Sequence, residues 1–167
     1  TVIIGRNDAG KSSLLDALDI FFNGAAIEQG DASVGGNPKD VRISCVFSDL
    51  PESLVIDEQH PTSLKDEYLL RADGMLEVCC IYNCSIAKGK RTAIFAKALH
   101  PSVEELDDLH TLKITPLKKR AKDLGVDLSD VNETIRAEIR QALWSSVDDL
   151  ELTDSEIDLE NENGKAA

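Results

Sequence analysis

The chain opens on Thr1-Val2-Ile3-Ile4, a β-favouring run that turns at Gly5. From Leu14 the period changes. Leu14, Leu15, Ala17, Leu18, Phe21 and Phe22 recur at three- and four-residue spacing around Asp16 and Asp19, which predicts a helix with a broad apolar face for packing on a sheet. Asn23-Gly24 should stop it. Residues 25–40 hold Gly30, Gly35, Gly36 and Pro38 without periodicity and are expected to be a mobile loop. Val41, Ile43, Cys45 and Phe47 alternate with polar residues, as in a half-buried strand that Asp49-Leu50-Pro51-Glu52 breaks. Ser53 to Ile56 suits a short helical turn or a further strand, and residues 57–67 read as a polar loop in which His60-Pro61 is simply exposed.

Glu67-Tyr68-Leu69-Leu70 is a short apolar run before an Ala72-Asp73-Gly74 turn. Leu76, Val78, Cys80, Tyr82 and Cys84 then alternate over a long strand, Lys88-Gly89-Lys90 turns, and Thr92 to Leu99 gives another strand. Asp-Gly and Gly-Lys turns between neighbouring strands are hairpin signals, so this middle region is expected to be an antiparallel meander. Pro101 closes it. Leu117 to Leu124 reads as a short basic helix after Pro116, ended by Gly125. Asp127 or Ser129 can cap a following helix over 129–147, with Val131, Ile135, Ile139, Ala142 and Leu143 as its apolar stripe. From Asp148 carboxylates crowd without apolar period, so residues 148–167 are expected to be an acidic, solvated linker or the lead-in to further elements.

A length of 167 residues suits one domain, or one domain with an appendage. No stretch approaches a membrane span or shows a secretory leader, and a cytoplasmic protein is expected. The chain starts without Met and inside a β-favouring run, as a piece of a longer protein would. A net charge of −13 argues against a general nucleic-acid grip, because phosphate binding rests on Lys and Arg. Lys113, Lys118, Lys119, Arg120 and Lys122 make a concentrated basic stretch, read as a solvated helix face. Cys80 and Cys84, on one face of a strand, would stand about 13 Å apart at roughly 3.3 Å per residue, too far for one metal ion. The four cysteines (Cys45, Cys79, Cys80, Cys84) are therefore read as reduced core residues. Asn37-Pro38-Lys39-Asp40 has the wrong order for the guanine-reading motif of GTPases and is read as a turn.

The chemistry lies at the start. Gly5-Arg6-Asn7-Asp8-Ala9-Gly10-Lys11-Ser12 is G-x-x-x-x-G-K-S between a strand and a helix. Such a loop wraps its backbone N–H groups around an anion, and the helix beginning there adds its positive dipole end. Arg6, Asn7, Asp8, Ala9, Gly10, Lys11, Ser12 and Ser13 are the expected nucleotide-binding residues. Lys11 should reach the β- and γ-phosphates as the catalytic cation, and Ser12 should ligate Mg²⁺.

The longer pattern Gly5-x-Asn7-x-x-Gly10-Lys11-Ser12-Ser13-Leu14-Leu15-x-Ala17-Leu18 resembles the P-loop of ABC-type ATPase heads in SMC, RecF and OLD-family proteins. With the Phe47-Ser48-Asp49-Leu50-Pro51 step, it looks most like OLD-family ATPases, which couple an ATPase to a Toprim nuclease in phage defence or DNA processing. The resemblance implies an α/β P-loop NTPase fold with an antiparallel β-meander insertion and C-terminal helices, as an incomplete ABC-type head. Residues 1–147 would be its N-terminal lobe. It further implies ATP and Mg²⁺ as cofactors, a homodimer or higher homo-oligomer formed through the heads, and DNA bound through other parts of the protein, with a partner effector protein as a further expectation. The chain is expected to lack a signature motif and a Walker B, and so to bind ATP but fire poorly alone. A P-loop GTPase or kinase, and a non-hydrolysing ATP-dependent dimerisation module, are the alternatives.

Overall fold

In the computed structural model of the protein, residues 10–56 and 60–159 are described. Half-buried and exposed positions alternate along β1 (Val41–Phe47), as its sequence predicts. β2 (Leu54–Val55) and β3 (Pro61–Thr62) form a two-stranded antiparallel ribbon, with Leu54 opposite Thr62. Ser53 to Ile56 therefore resolves towards a strand, and the expected polar loop contains its partner. β4 (Leu76–Asn83), β5 (Lys90–Pro101) and β6 (Leu152–Asp158) complete a four-stranded sheet in the order β1-β4-β5-β6. Residues 84–89 are too few for a crossover, so β4 and β5 run antiparallel as the hairpin signals predict.

The short apolar run Glu67–Leu70 lies in a turn closed by Leu69 N–H donating to Leu64 O at 2.9 Å, and Tyr68 there takes φ 52°. Three expectations need correction. The helices are not C-terminal, because β6 follows them and pairs antiparallel with β5 from Phe95↔Asp158 to Pro101↔Leu152. Part of the stretch read as an acidic linker or lead-in is thus a strand. Its Asp154, Glu156 and Asp158 alternate with the buried Ile157, and charged side chains suit the last strand of a sheet. The helices also start elsewhere. α2 spans Ile114–Asp123, with Pro116 in its first turn, where a missing N–H costs nothing. α3 spans Arg136–Ser145, not 129–147. The Asp127 and Asn132 side chains accept N–H groups two residues on, holding the preceding stretch in turns.

The chain divides into two compact units, Thr1–Ser44 with Cys80–Ala93, and Cys45–Cys79 with Ile94–Ala167. In the second unit the stripe of α3 (Ile139, Leu143, Trp144) packs with Leu117 and Ala121 of α2 and with Leu106 and Leu109. The basic face of α2 is solvated and locally paired: Arg120 makes a fork to Asp108 at 3.1 and 3.2 Å, and Lys118 reaches Glu133 at 2.8 Å.

Beside this core lies a buried polar network that the sequence did not announce. Glu67 is fully buried and accepts from Arg140 Nε at 2.8 Å and from the Thr62 hydroxyl at 2.9 Å. His110 Nε2–H donates to Glu67 O at 2.8 Å, and His100 Nδ1–H donates to Tyr68 O at 3.1 Å. Both imidazoles stack edge or tilted against Trp144, whose indole N–H donates to Leu106 O. Burial first, and then the Arg140 charge, push the pKa of His110 down to about 3.

Two predictions follow from this network. Arg140→Met should remove about 3–5 kcal/mol of stability, read by urea unfolding, because it strands a buried carboxylate; Glu67→Gln in the same chain should recover part of the loss. His110 is held neutral in the fold, while the unfolded chain takes up its proton below about pH 6.5. Stability that is complete above that pH should fall between about pH 6.5 and 3, with His110 contributing up to about 1.4 kcal/mol per pH unit. His110→Asn should flatten the profile by that slope.

Candidate nucleotide-binding site

The site is built on the first unit. α1 (Lys11–Asn23) begins immediately after Gly10, which takes φ 76° and ψ 15°. Leu14 N–H donates to Gly10 O at 3.1 Å, closing the first helical turn. Lys11, Ser12 and Ser13 are therefore the first three helical residues, and no carboxylate stands in that turn. A left-handed residue leading into a helix turns consecutive N–H groups to one side, the arrangement that favours an anion. Of the expected binding residues, Gly10, Lys11, Ser12 and Ser13 stand together here; Arg6, Asn7, Asp8 and Ala9 lie outside the described residues. Lys11 is half-buried and the two serines are exposed.

The expected burial of the apolar face of α1 is overturned in part. Ile20 is buried and Ala17 and Phe21 are half-buried, but Leu14, Leu15, Leu18 and Phe22 are 50%, 58%, 37% and 59% exposed. The helix is apolar round most of its circumference, and only the side carrying Ala17, Ile20 and Phe21 is packed.

The stretch after α1 is tied, not free. Gly24, in the left-handed region, ends the helix by donating its N–H to Asp19 O. Ile27 is buried, and its carbonyl accepts from Gly89 N–H at 2.8 Å, while Glu28 bridges Lys88 in antiparallel fashion. Pro38 O accepts from Cys84 N–H. Asn37-Pro38-Lys39-Asp40 is a turn, with Asp40 N–H donating to Asn37 O. Gly89 sits where a Cβ would lie 2.6 Å from Ile27 Cγ2 and 3.0 Å from Ile27 O, so only glycine allows this approach. The sequence marked Gly89 as a turn residue and gave no sign of this contact.

Charge is unevenly divided. The first unit has seven Lys and Arg against six Asp and Glu, and the second has eleven against twenty-five. Cys79, Cys80 and Cys84 are buried free thiols, as expected of core residues, and burial pushes the Cys84 thiol up. Among the described residues no three His, Cys, Asp or Glu side chains gather as a metal site. A separate open groove of about 550 Å³ in the second unit is lined by Leu50, Leu64 and Leu70 together with Asp49, Glu52 and Asp73. One sequence signal was missed. Leu54-Val55-Ile56-Asp57-Glu58 is an apolar run ending in Asp-Glu, the order of a Walker B. Its first two residues form β2 in an antiparallel ribbon, and Asp57 and Glu58 lie outside the described residues.

Over residues 1–167 the chain matches the AAA ATPase domain family, and it belongs to that family. No curated protein and no solved structure matches it. Membership makes it a P-loop ATPase domain of an ATP-binding family. No helix among the described residues is long and apolar enough to cross a membrane.

Gly10→Ala should cost about 1–2 kcal/mol, since a Cβ is strained at φ 76° although nothing stands within 4 Å of it. Gly30→Ala, equally open but without a positive φ, should leave stability unchanged or slightly raised. Chemical unfolding of the two variants side by side checks this.

Proposed function

We propose that the chain supplies the ATP- and Mg²⁺-gripping half of an ABC-type ATPase head of OLD-like type. In the whole protein it would couple ATP binding and hydrolysis to DNA processing or phage defence. The observation that carries the reading is the left-handed Gly10 followed directly by Lys11 and Ser12 at the start of α1. A polyphosphate fits that end, because the first-turn N–H groups have no intrahelical acceptors and the first turn itself holds no carboxylate. Arg6 to Ala9 complete the loop by sequence. Lys11 would neutralise the β- and γ-phosphates, and Ser12 would offer its hydroxyl to Mg²⁺. Held by Ser12, Mg²⁺ would supply charge neutralisation to the phosphate oxygens.

The residue that would orient the attacking water is not assigned. Asp57 and Glu58 have the sequence order for it, but β2 pairs antiparallel with β3 and not within a parallel sheet. No signature-type Leu-Ser-Gly-Gly-Gln run occurs in the sequence. Phosphoryl transfer is mostly positioning, so a head with one half-site binds nucleotide and turns it over slowly. The reading therefore includes a cytoplasmic homodimer or higher homo-oligomer formed through the heads, DNA held mainly elsewhere, and an effector protein as partner.

Titration calorimetry tests the site. Wild-type protein with Mg²⁺ should bind ATP, and Lys11→Ala should weaken that binding by about a hundredfold or more, close to 2.8 kcal/mol. Equal affinities in the two proteins would overturn the assignment.

A further inference from the structure

In this acidic chain the carboxylates leave one long gap. From Val78 through Val103 there is no Asp or Glu, although the sequence holds 31, and the gap carries Lys88, Lys90, Arg91 and Lys97. Three of these stand at the turn end of the β4–β5 hairpin, where Ile86, Lys88, Lys90 and Arg91 are exposed. Lys88, in an isolated antiparallel bridge to Glu28, and Lys90, the first residue of β5, flank Gly89 and are both exposed. Ile86, 45% exposed, projects an apolar side chain from the same turn.

The turn is built rather than loose. Asn83 Oδ1 accepts both the N–H and the hydroxyl of Ser85, Cys84 is tied to Pro38, and Gly89 is held against Ile27. The lysines therefore start from a fixed base, which lowers the ordering cost of a contact. The acids facing this end are Glu28, opposite Lys88, and Asp31. Each is engaged by backbone: Asp31 Oδ2 accepts Glu28 N–H at 2.8 Å, and Glu28 accepts reciprocally in a capping box.

We propose that the β4–β5 hairpin end is a nucleic-acid contact, with Lys88 and Lys90 on the phosphodiester backbone and Ile86 against the sugar or base edge beside it. This rests on the reading that the protein acts on DNA, and it gives one element of this chain a part in that contact. Two exposed cations flanking a Gly89 held against Ile27 suit neighbouring phosphates, and an exposed Ile beside cations is the composition of hairpins and arms that enter a groove. Within the first unit, seven Lys and Arg stand against six Asp and Glu, so the unit that carries the hairpin end is itself near neutral in a chain of net charge −13.

The test uses the full chain and a fluorescein-labelled DNA duplex, followed by anisotropy between about 50 and 200 mM salt. Lys88→Glu with Lys90→Glu should weaken binding at least tenfold. It should also lower the slope of log affinity against log salt by about two, one for each lost phosphate contact. Ile86→Ser should weaken binding with the slope unchanged. A control pair, Lys119→Glu with Lys122→Glu on the exposed face of α2, should have less than a threefold effect, and ATP affinity by calorimetry should be the same in all. Equal losses in the hairpin and control pairs would overturn the proposal in favour of diffuse charge. Wild-type binding that the hairpin pair leaves intact would overturn the proposal alone, with the DNA reading standing. A wild-type chain that binds ATP but no duplex would overturn it along with that DNA reading of this chain. Binding to phosphatidylserine vesicles in place of duplex would overturn it too, assigning the hairpin to a lipid surface.

Discussion

The second unit is organised by the ion pair of Glu67 with Arg140. Taking both charges out of water costs several kcal/mol for each, and mutual attraction offsets this only when the remaining lone pairs and protons are also bonded. Here the Thr62 hydroxyl takes the second carboxylate oxygen, and the pair joins residues 73 apart in sequence. Removing one partner of such a pair leaves an uncompensated buried charge, so each of the two holds the other in place. The same turn carries Tyr68 in a conformation that L residues avoid, and the carbonyls of Glu67 and Tyr68 are each fixed by a buried imidazole. The strain persists because the surroundings overdetermine it. Neutral histidines serve this better than charged ones, since each must give one N–H to a carbonyl in a place where a second positive charge would compete with Arg140.

How much of this was legible depends on how local each cause is. β1, the β4–β5 hairpin and the helix after the P-loop rest on two- and four-residue periods, and all were readable. So was the end of α1, because Asn23-Gly24 is a local stop. The start of the candidate site was readable to the residue at Gly10 and Lys11, since the phosphate loop is a contiguous motif. β6 was not, because its reason to be a strand is β5, more than fifty residues away, and its own sequence has only Ile157 on the buried side. Glu67 looked like the start of an apolar run, and only Arg140 explains why it is inside. The exposed stripe of Leu14, Leu18 and Phe22 misled for the opposite reason: periodicity shows that a face is apolar, not what packs on it. Asp57-Glu58 is legible in the letters as the end of an apolar run, but the strand before it, β2, pairs antiparallel with β3.

Net charge is a poor guide to what such a chain can hold, because it averages over the whole sequence while a bound anion meets mainly the charges within about 8–10 Å at physiological salt. The acidic excess lies in the sequence of the second unit, with twenty-five acids against eleven bases. In the first unit acids and bases nearly balance, and two of the acids, Glu28 and Asp31, are taken up by backbone N–H groups within one turn. Asp8, Asp16, Asp19 and Asp40 are the other acids of that unit, Asp40 paired with Arg42 at 2.9 Å, and they stand against the fixed dipoles at the start of α1 and the lysines of a braced hairpin. Anion binding needs only local fields of that kind, so an overall charge of −13 is compatible with a phosphate site whose immediate surroundings are close to neutral.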